Sequence, residues 1–317
     1  MYQEKLIRTI QQKVGQEQSL IDAIAAALSI SYDAAHRRIS MKSKFSLEET
    51  ALLARYFGVS LDSIFQGEEN VLVQKTKEIQ NFQDLAAYLQ HSLQALQRFD
   101  QSAASVYYSA KDIPLFYTIG NSLLSKFKLF VWLNLLGSKY DEVNFDDFQF
   151  QAPMEETSQR MVSFYDAVQV NEVWNDTTIN STLQQIIYYF QAGLLGTDTA
   201  LGLCDSLKEL VHDIEKKCTE KNERYRLFYH DLLILNNNVL VNDGSRQSLF
   251  VPYTMLGYFI TDDSDTCAHA LKFYEYQLKN SKLLNTAGKR DKKIFFNKAY
   301  QKIDFYRNQI KVVMDFG

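Results

Sequence analysis

The chain has 317 residues and a formal net charge of −4, with 46% hydrophobic and 13% aromatic content, enough for two or three substantial cores and too apolar for a disordered chain. The acidic total excludes a protein that coats nucleic acid over its whole surface, and three cysteines, Cys204, Cys218 and Cys267, are too few for a disulfide framework. The most apolar window, Phe127 to Leu136, falls well short of the roughly 20 residues that cross a bilayer, and no N-terminal stretch has the apolar core of a signal peptide, so a cytoplasmic protein without membrane contact is expected.

From the N-terminus, Leu6, Ile7, Ile10 and Val14 mark an amphipathic helix from about Gln3 to Val14. Ser19 is a good N-cap for a second helix, in which Leu20, Ile24 and Leu28 share a face and Ala23, Ala25, Ala26 and Ala27 permit close approach of a neighbour. The chain turns through Ser29, Ile30 and Ser31, and Ser31 caps a third helix, Tyr32 to Ile39. On that helix Ala35 and Ile39 face inward, while Tyr32, Asp33, His36, Arg37 and Ser40 face outward. Ser46 and Glu49 form a capping-box pair ahead of Leu52, Leu53, Tyr56 and Phe57. Gly58 supplies a left-handed stop, and Ser60 starts a last short helix with Leu61, Ile64 and Phe65.

The residues Ala25 to Leu28, Ile30-Ser31, Ala35, Ile39 and above all Ser46-Leu47-Glu48 through Leu53-Ala54 to Phe57-Gly58-Val59-Ser60-Leu61-Asp62 carry a resemblance to a known family. The segment resembles the lambda-repressor-like helix-turn-helix domains, the bacterial family that includes phage repressors and the xenobiotic-response-element regulators. The resemblance covers about one fifth of the chain and implies a five-helix fold whose third helix enters the major groove of DNA. Two features depart from the family pattern: Ser29 stands where the turn commonly has Gly, and Met41-Lys42-Ser43-Lys44 replaces an acidic-then-glycine exit from the third helix.

By position, the resemblance implies base contacts from Tyr32 and Asp33 at the start of the third helix, behind the Ser31 cap, with His36 and Arg37 one turn further on. Arginine suits a bidentate contact with guanine O6 and N7, and aspartate accepts from cytosine N4. Arg38, Lys42 and Lys44 are assigned to phosphates, which require charge and reach but no defined face. Residues 1–66 carry eight Lys or Arg against seven Asp or Glu, and the remainder 26 against 31, so the acidity lies distally. A discrete DNA-reading face requires only local positive charge.

Residues 67–81 read as a polar linker. Phe82, Leu85, Leu89, Leu93, Leu96 and Phe99 then define a helix of about 20 residues, whose stripe packs inside the next domain or against a second subunit. Ala104 to Ser109 is strand-like, and helical patterns follow at Ser122 to Leu136, ended by Gly137, and at Glu155 to Gln169, Asn180 to Gly193 and Thr199 to Glu220. Leu232 to Leu235, Val239 to Val241, Leu249 to Val251 and Tyr258 to Ile260 read as short strands separated by turns, before two helices at about Ser264 to Leu284 and Asp291 to Lys311. The expected fold is therefore mainly α: a five-helix domain over residues 1–66, a linker over 67–81, and a larger, mostly helical α+β region over 82–317 with a small antiparallel sheet near the C-terminus.

No HExxH, Gly-rich phosphate loop, G-x-S-x-G elbow or CxxC pair is present, so no catalytic residue, metal or cofactor is expected and the chain does not read as an enzyme. Cys267 and His269, two apart on a helix, diverge too far to form a ligand pair. Cys204 reads as a small core residue, whereas Cys218, near a polar helix end, is a candidate exposed thiol and redox switch. The reading is a sequence-specific, DNA-binding transcriptional regulator of bacterial type. Its expected partners are double-stranded DNA, a second copy of itself in a homodimer and a small-molecule or protein effector acting through residues 82–317. The alternative is a protein-interaction scaffold that uses the same N-terminal fold to bind a protein partner.

Overall fold

In the computed structural model, which describes residues 2–14, 19–61, 64, 71–136, 143–148, 153–232 and 235–316, the chain divides into two units, Met1–Leu72 and Val73–Gly317. The first holds α1 (Tyr2–Val14), α2 (Leu20–Leu28), α3 (Tyr32–Ile39) and α4 (Leu47–Phe57). Leu6, Ile10, Ile24, Ala35, Leu53, Val59 and Ile64 form its core. The short helix expected after Ser60 falls partly outside the described residues, but Leu61 and Ile64 both pack against this core.

The second unit overturns the expected small C-terminal antiparallel sheet. Its centre is an eight-stranded mixed sheet built from residues 74 to 283, in the order β1-β7-β6-β5-β2-β3-β4-β8. The strands are β1 (Gln74–Lys75), β2 (Ser105–Ser109), β3 (Gln169–Trp174), β4 (Tyr225–Tyr229), β5 (Val239–Asn242), β6 (Gln247–Pro252), β7 (Tyr258–Thr261) and β8 (Lys282–Leu283). Seven helices accompany them among the described residues: α5 (Phe82–Leu96), α6 (Leu123–Leu136), α7 (Pro153–Ala167), α8 (Asn180–Gln191), α9 (Thr197–Lys217), α10 (Ser264–Lys279) and α11 (Lys289–Phe316). Helices and a sheet do occur together, as expected, but the sheet is large and mixed and spans most of the second unit.

β2, β3 and β4 run parallel, Val106 beside Val170 and Glu172 beside Leu227. Parallel neighbours cannot be joined by a tight turn, and here the crossovers are the helix pairs α6–α7 and α8–α9. All other pairings are antiparallel, β5 lying against β2 and β8 against β4. Alternate residues face opposite sides. Val106, Tyr108, Val170, Trp174, Leu227 and Val241 enter the main core with Leu89 of α5, Phe130 of α6, Phe164 of α7, Ile186 of α8, Leu207 of α9 and Phe296 of α11. On the other face Leu240 and Leu249 pack against Cys267 and Tyr274 of α10.

Two strands sit where helix or linker was expected, and two more where no element was expected. Gln74–Lys75, inside the expected linker, pairs with β7, and Ile79 is buried, so the second unit begins before residue 82. Lys282–Leu283, expected as the end of a helix, pairs with β4 after α10 has stopped at Lys279. β3 escaped notice because its middle inward residue is Glu172, which breaks the apolar alternation. β4 lies at Tyr225–Tyr229, upstream of the strand expected at Leu232 to Leu235, of which residues 233 and 234 lie outside the described residues.

Glu172 is fully buried and accepts four hydrogen bonds: Tyr165 Oη at 2.6 Å and Tyr117 Oη at 2.8 Å on Oε1, Trp174 Nε1 at 2.7 Å and Tyr225 Oη at 3.0 Å on Oε2. Burial pushes its carboxyl above the ordinary range while these donors oppose the shift. Burial and the adjacent carboxylate push the three tyrosines well up, which keeps them protonated as donors. Phe116 stacks on Tyr165 at 4.0 Å and closes the cage. Glu172→Gln places a donor against donors and is expected to destabilise the second unit by about 2 kcal/mol. The urea midpoint followed by tryptophan fluorescence reads that unit alone, because both tryptophans, Trp132 and Trp174, lie within it; an unchanged midpoint would show that the cage adds nothing.

Candidate nucleic-acid interface

α3 is held at both ends. Ser31 adopts extended backbone, φ −67 and ψ 155, and its Oγ accepts from Ala34 N at 3.3 Å. At the other end Met41 is left-handed, φ 62, with Met41 N donating to Arg38 O at 3.1 Å and Lys42 N to Arg37 O at 2.8 Å. This is the Schellman arrangement, with methionine at the position that glycine usually fills. The turn before α3 repeats it: Ser29 is left-handed, φ 53, Ser29 N donates to Ala26 O and Ile30 N to Ala25 O. Each residue without glycine's freedom there costs about 1 kcal/mol. Gly58 ends α4 in the same way without that strain. Ser29 and Met41 thus end α2 and α3 in left-handed turns without glycine.

Two long-range contacts fix how α3 leaves the bundle. Arg38 spans from α3 to α4, with Nη2 at 2.6 Å from Glu49 Oε1 and Nε at 3.0 Å from Glu49 Oε2. Glu49 also closes the capping box, Ser46 N donating to its Oε2 at 2.9 Å and its own N–H donating to Ser46 Oγ at 3.1 Å. From α1, Gln3 Nε2 reaches Arg38 O at 2.8 Å and Ser43 O at 2.9 Å, and Gln3 Oε1 accepts from Phe45 N at 3.1 Å. One amide therefore clips the whole exit segment to the first helix.

Of the expected site residues, Ser31, Tyr32, Asp33, His36, Arg37, Lys42 and Lys44 are exposed. Tyr32, which could have packed against α2, is 53% exposed. Arg37 forms no ion pair among the described residues. Arg38 differs from these: it is only part-exposed, and its guanidinium bonds Glu49 and Ala34 O, which ties α3 to α4. Gln3 escaped notice because its partners lie 35 to 42 residues away and a single polar residue on an amphipathic helix carries no local signal.

The cysteines offer nothing further. All three are free and buried, so Cys218 is not the exposed thiol considered for it, and burial pushes its thiol up to about 11. Among the described residues no group of three or more His, Cys, Asp or Glu could hold a metal, and no helix is long and apolar enough to cross a membrane. No family model, curated protein or solved structure matches this chain.

The hydrogen bond and charge of Arg38 hold the Glu49 carboxyl below its ordinary range. A depressed folded value means that the stabilisation is complete above the unfolded carboxylate range and is lost as pH falls through the folded value. The protection factors of the α3 and α4 amides, taken relative to the intrinsic exchange rate at each pH, are therefore expected to fall on acidification below the ordinary carboxylate range, and Glu49→Gln is expected to lower them already at neutral pH. Equal protection of the variant and the parent chain at neutral pH would contradict this role for the pair.

Proposed function

We propose that residues 1–72 read double-stranded DNA through α3 in the major groove, and that the chain is a transcriptional regulator acting as a homodimer, with residues 73–317 serving dimerisation and sensing. The observation that carries this reading is the exposed row Tyr32, Asp33, His36 and Arg37 on a short helix whose backbone is pinned at its cap, its exit turn and the Arg38–Glu49 pair. Base reading requires side chains held in register. Arg37 supplies a fork for guanine, Asp33 an acceptor for cytosine, and Lys42 and Lys44 supply phosphate charge from a segment that Gln3 holds in place. One such helix offers only three or four base contacts, so useful affinity calls for two copies on half-sites about 34 Å apart.

Arg37→Ala is expected to remove about 1–3 kcal/mol of discrimination between duplexes, whereas Lys42→Ala weakens all duplexes alike and lowers the salt slope by about 1. Titration of the full chain against duplexes of differing sequence at several salt concentrations distinguishes the two effects, and the reading falls if neither substitution changes binding to any duplex. A protein-binding role for the same unit is favoured by one observation, the exposed Leu52 and Tyr56 one turn apart on α4. Retention of DNA affinity in Leu52→Ser and Tyr56→Ser separates that face from the DNA-reading one.

A further inference from the structure

The second unit carries a cleft of about 410 Å³ at the carboxyl end of β2. Its walls come from four places: the segment after β2 (Lys111 to Leu115), α6 (Lys128 and Trp132), the entry to β5 (Asn236 and Asn237) and the β6–β7 turn (Pro252 to Leu256). β2 has a parallel neighbour on one side, β3, and on the other β5, to which the chain returns only after β4. The cleft thus opens outside the carboxyl end of β2, beside the entry to its antiparallel neighbour β5, and the carboxyl ends of parallel strands are where α/β sheets bind ligands.

The floor of the cleft is built from side chains fixed by long-range bonds. Lys128 is 1% exposed, and its ammonium donates to Asp112 Oδ2 at 3.0 Å, Gln185 Oε1 at 3.0 Å and Thr182 Oγ1 at 3.2 Å. Asp112 N donates to Asn237 Oδ1 at 3.0 Å, and Asn237 is itself held left-handed, φ 62, by its N–H bond to Ser109 O. A buried ammonium with three acceptors and a non-glycine residue in a strained conformation are costly, and such features concentrate at sites that must keep one shape.

The groups left over are donors. Trp132 lines the cleft, and no hydrogen bond from its indole N–H to another group is found among the described residues. Asn237 spends its Oδ1 on Asp112 and keeps its Nδ2 donor, and the Lys111 ammonium stands on the exposed rim without an ion pair among the described residues. The one carboxylate in the lining, Asp112, is already matched by Lys128, so Lys111 is a surplus positive charge. Ile113, Leu115 and Leu256 supply apolar wall beside these donors.

We propose that this cleft binds a small organic anion, a carboxylate or phosphate ester attached to an apolar body, with Lys111, Asn237 Nδ2 and Trp132 Nε1 directed at the anionic group. The volume suits a ligand of that size, and convergent donors with net positive charge select anions over neutral counterparts. The site goes beyond the DNA-reading proposal and stands whether or not α3 reads DNA.

The test is titration of the full chain with benzoate, indole-3-acetate and adenosine monophosphate, each beside its neutral counterpart benzamide, indole-3-acetamide or adenosine, followed by tryptophan fluorescence and calorimetry. At least one anion is expected to saturate with a Kd below about 1 mM while its counterpart does not. Lys111→Gln, at an exposed position without a structural partner, is expected to weaken that anion about tenfold, and Lys272→Gln on α10 not at all. Saturation by a carboxylate alone or by the phosphate ester alone identifies which form of anion the cleft takes. The proposal is overturned if no anion saturates, if the neutral compounds bind as well, or if Lys111→Gln leaves the affinity unchanged.

Discussion

The two-pronged ion pair between Arg38 and Glu49 is the central contact that orients α3. Both side chains are only about one-fifth exposed, so water and salt screen the pair less than they would a surface bridge, and its charge-assisted bonds are about twice as strong as neutral ones. The same carboxylate closes the capping box of α4, so the start of α4 and the last turn of α3 share one acceptor group. Gln3 adds a third element by binding the carbonyls of Arg38 and Ser43. Rigidity comes at the expense of charge: a guanidinium matched by a carboxylate adds little net field, which leaves Arg37, Lys42 and Lys44 as the cations that a polyanion would meet.

The second unit holds two ionisable side chains in buried positions by hydrogen bonds from several segments. Glu172 faces the main core among three tyrosines and a tryptophan, and Lys128 sits among Asp112, Thr182 and Gln185. Each buried group is surrounded by partners from separate segments, so these groups tie β3, β4 and α7 together in one case and α6, α8 and the segment after β2 in the other. Removing Asp112 would leave the Lys128 ammonium without its counter-charge, a far larger loss than the net worth of the intact pair. The first cluster is closed and structural. The second borders an open cleft and retains donors that the protein does not use.

What was legible in the sequence was local. Ser31, Ser46 with Glu49, and Gly58 announce the ends of α3 and α4 within a few residues, and the apolar spacing of α1 and α2 is unambiguous, so the first unit follows from caps and periodicity. The long helices of the second unit were visible for the same reason. Strands β2, β5, β6 and β7 were visible as well, but not the eight-stranded sheet that joins them, because its parallel core joins strands separated by two helices each, and because the inward alternation of β3 is interrupted by Glu172, a residue whose place in a core makes sense only once Tyr117, Tyr165 and Tyr225 are beside it. Likewise the outward face of α3 was readable from spacing, while the inward turn of Arg38 depends on a partner across the bundle.

The most direct test of DNA reading by α3 is selection of bound duplexes from a fully random pool by the full-length chain at low and moderate salt. The expected result is enrichment of a motif repeated in inverted orientation with centres about 34 Å apart, lost when Arg37 is replaced by alanine. Recovery of a pool indistinguishable from the input at every salt concentration would contradict it.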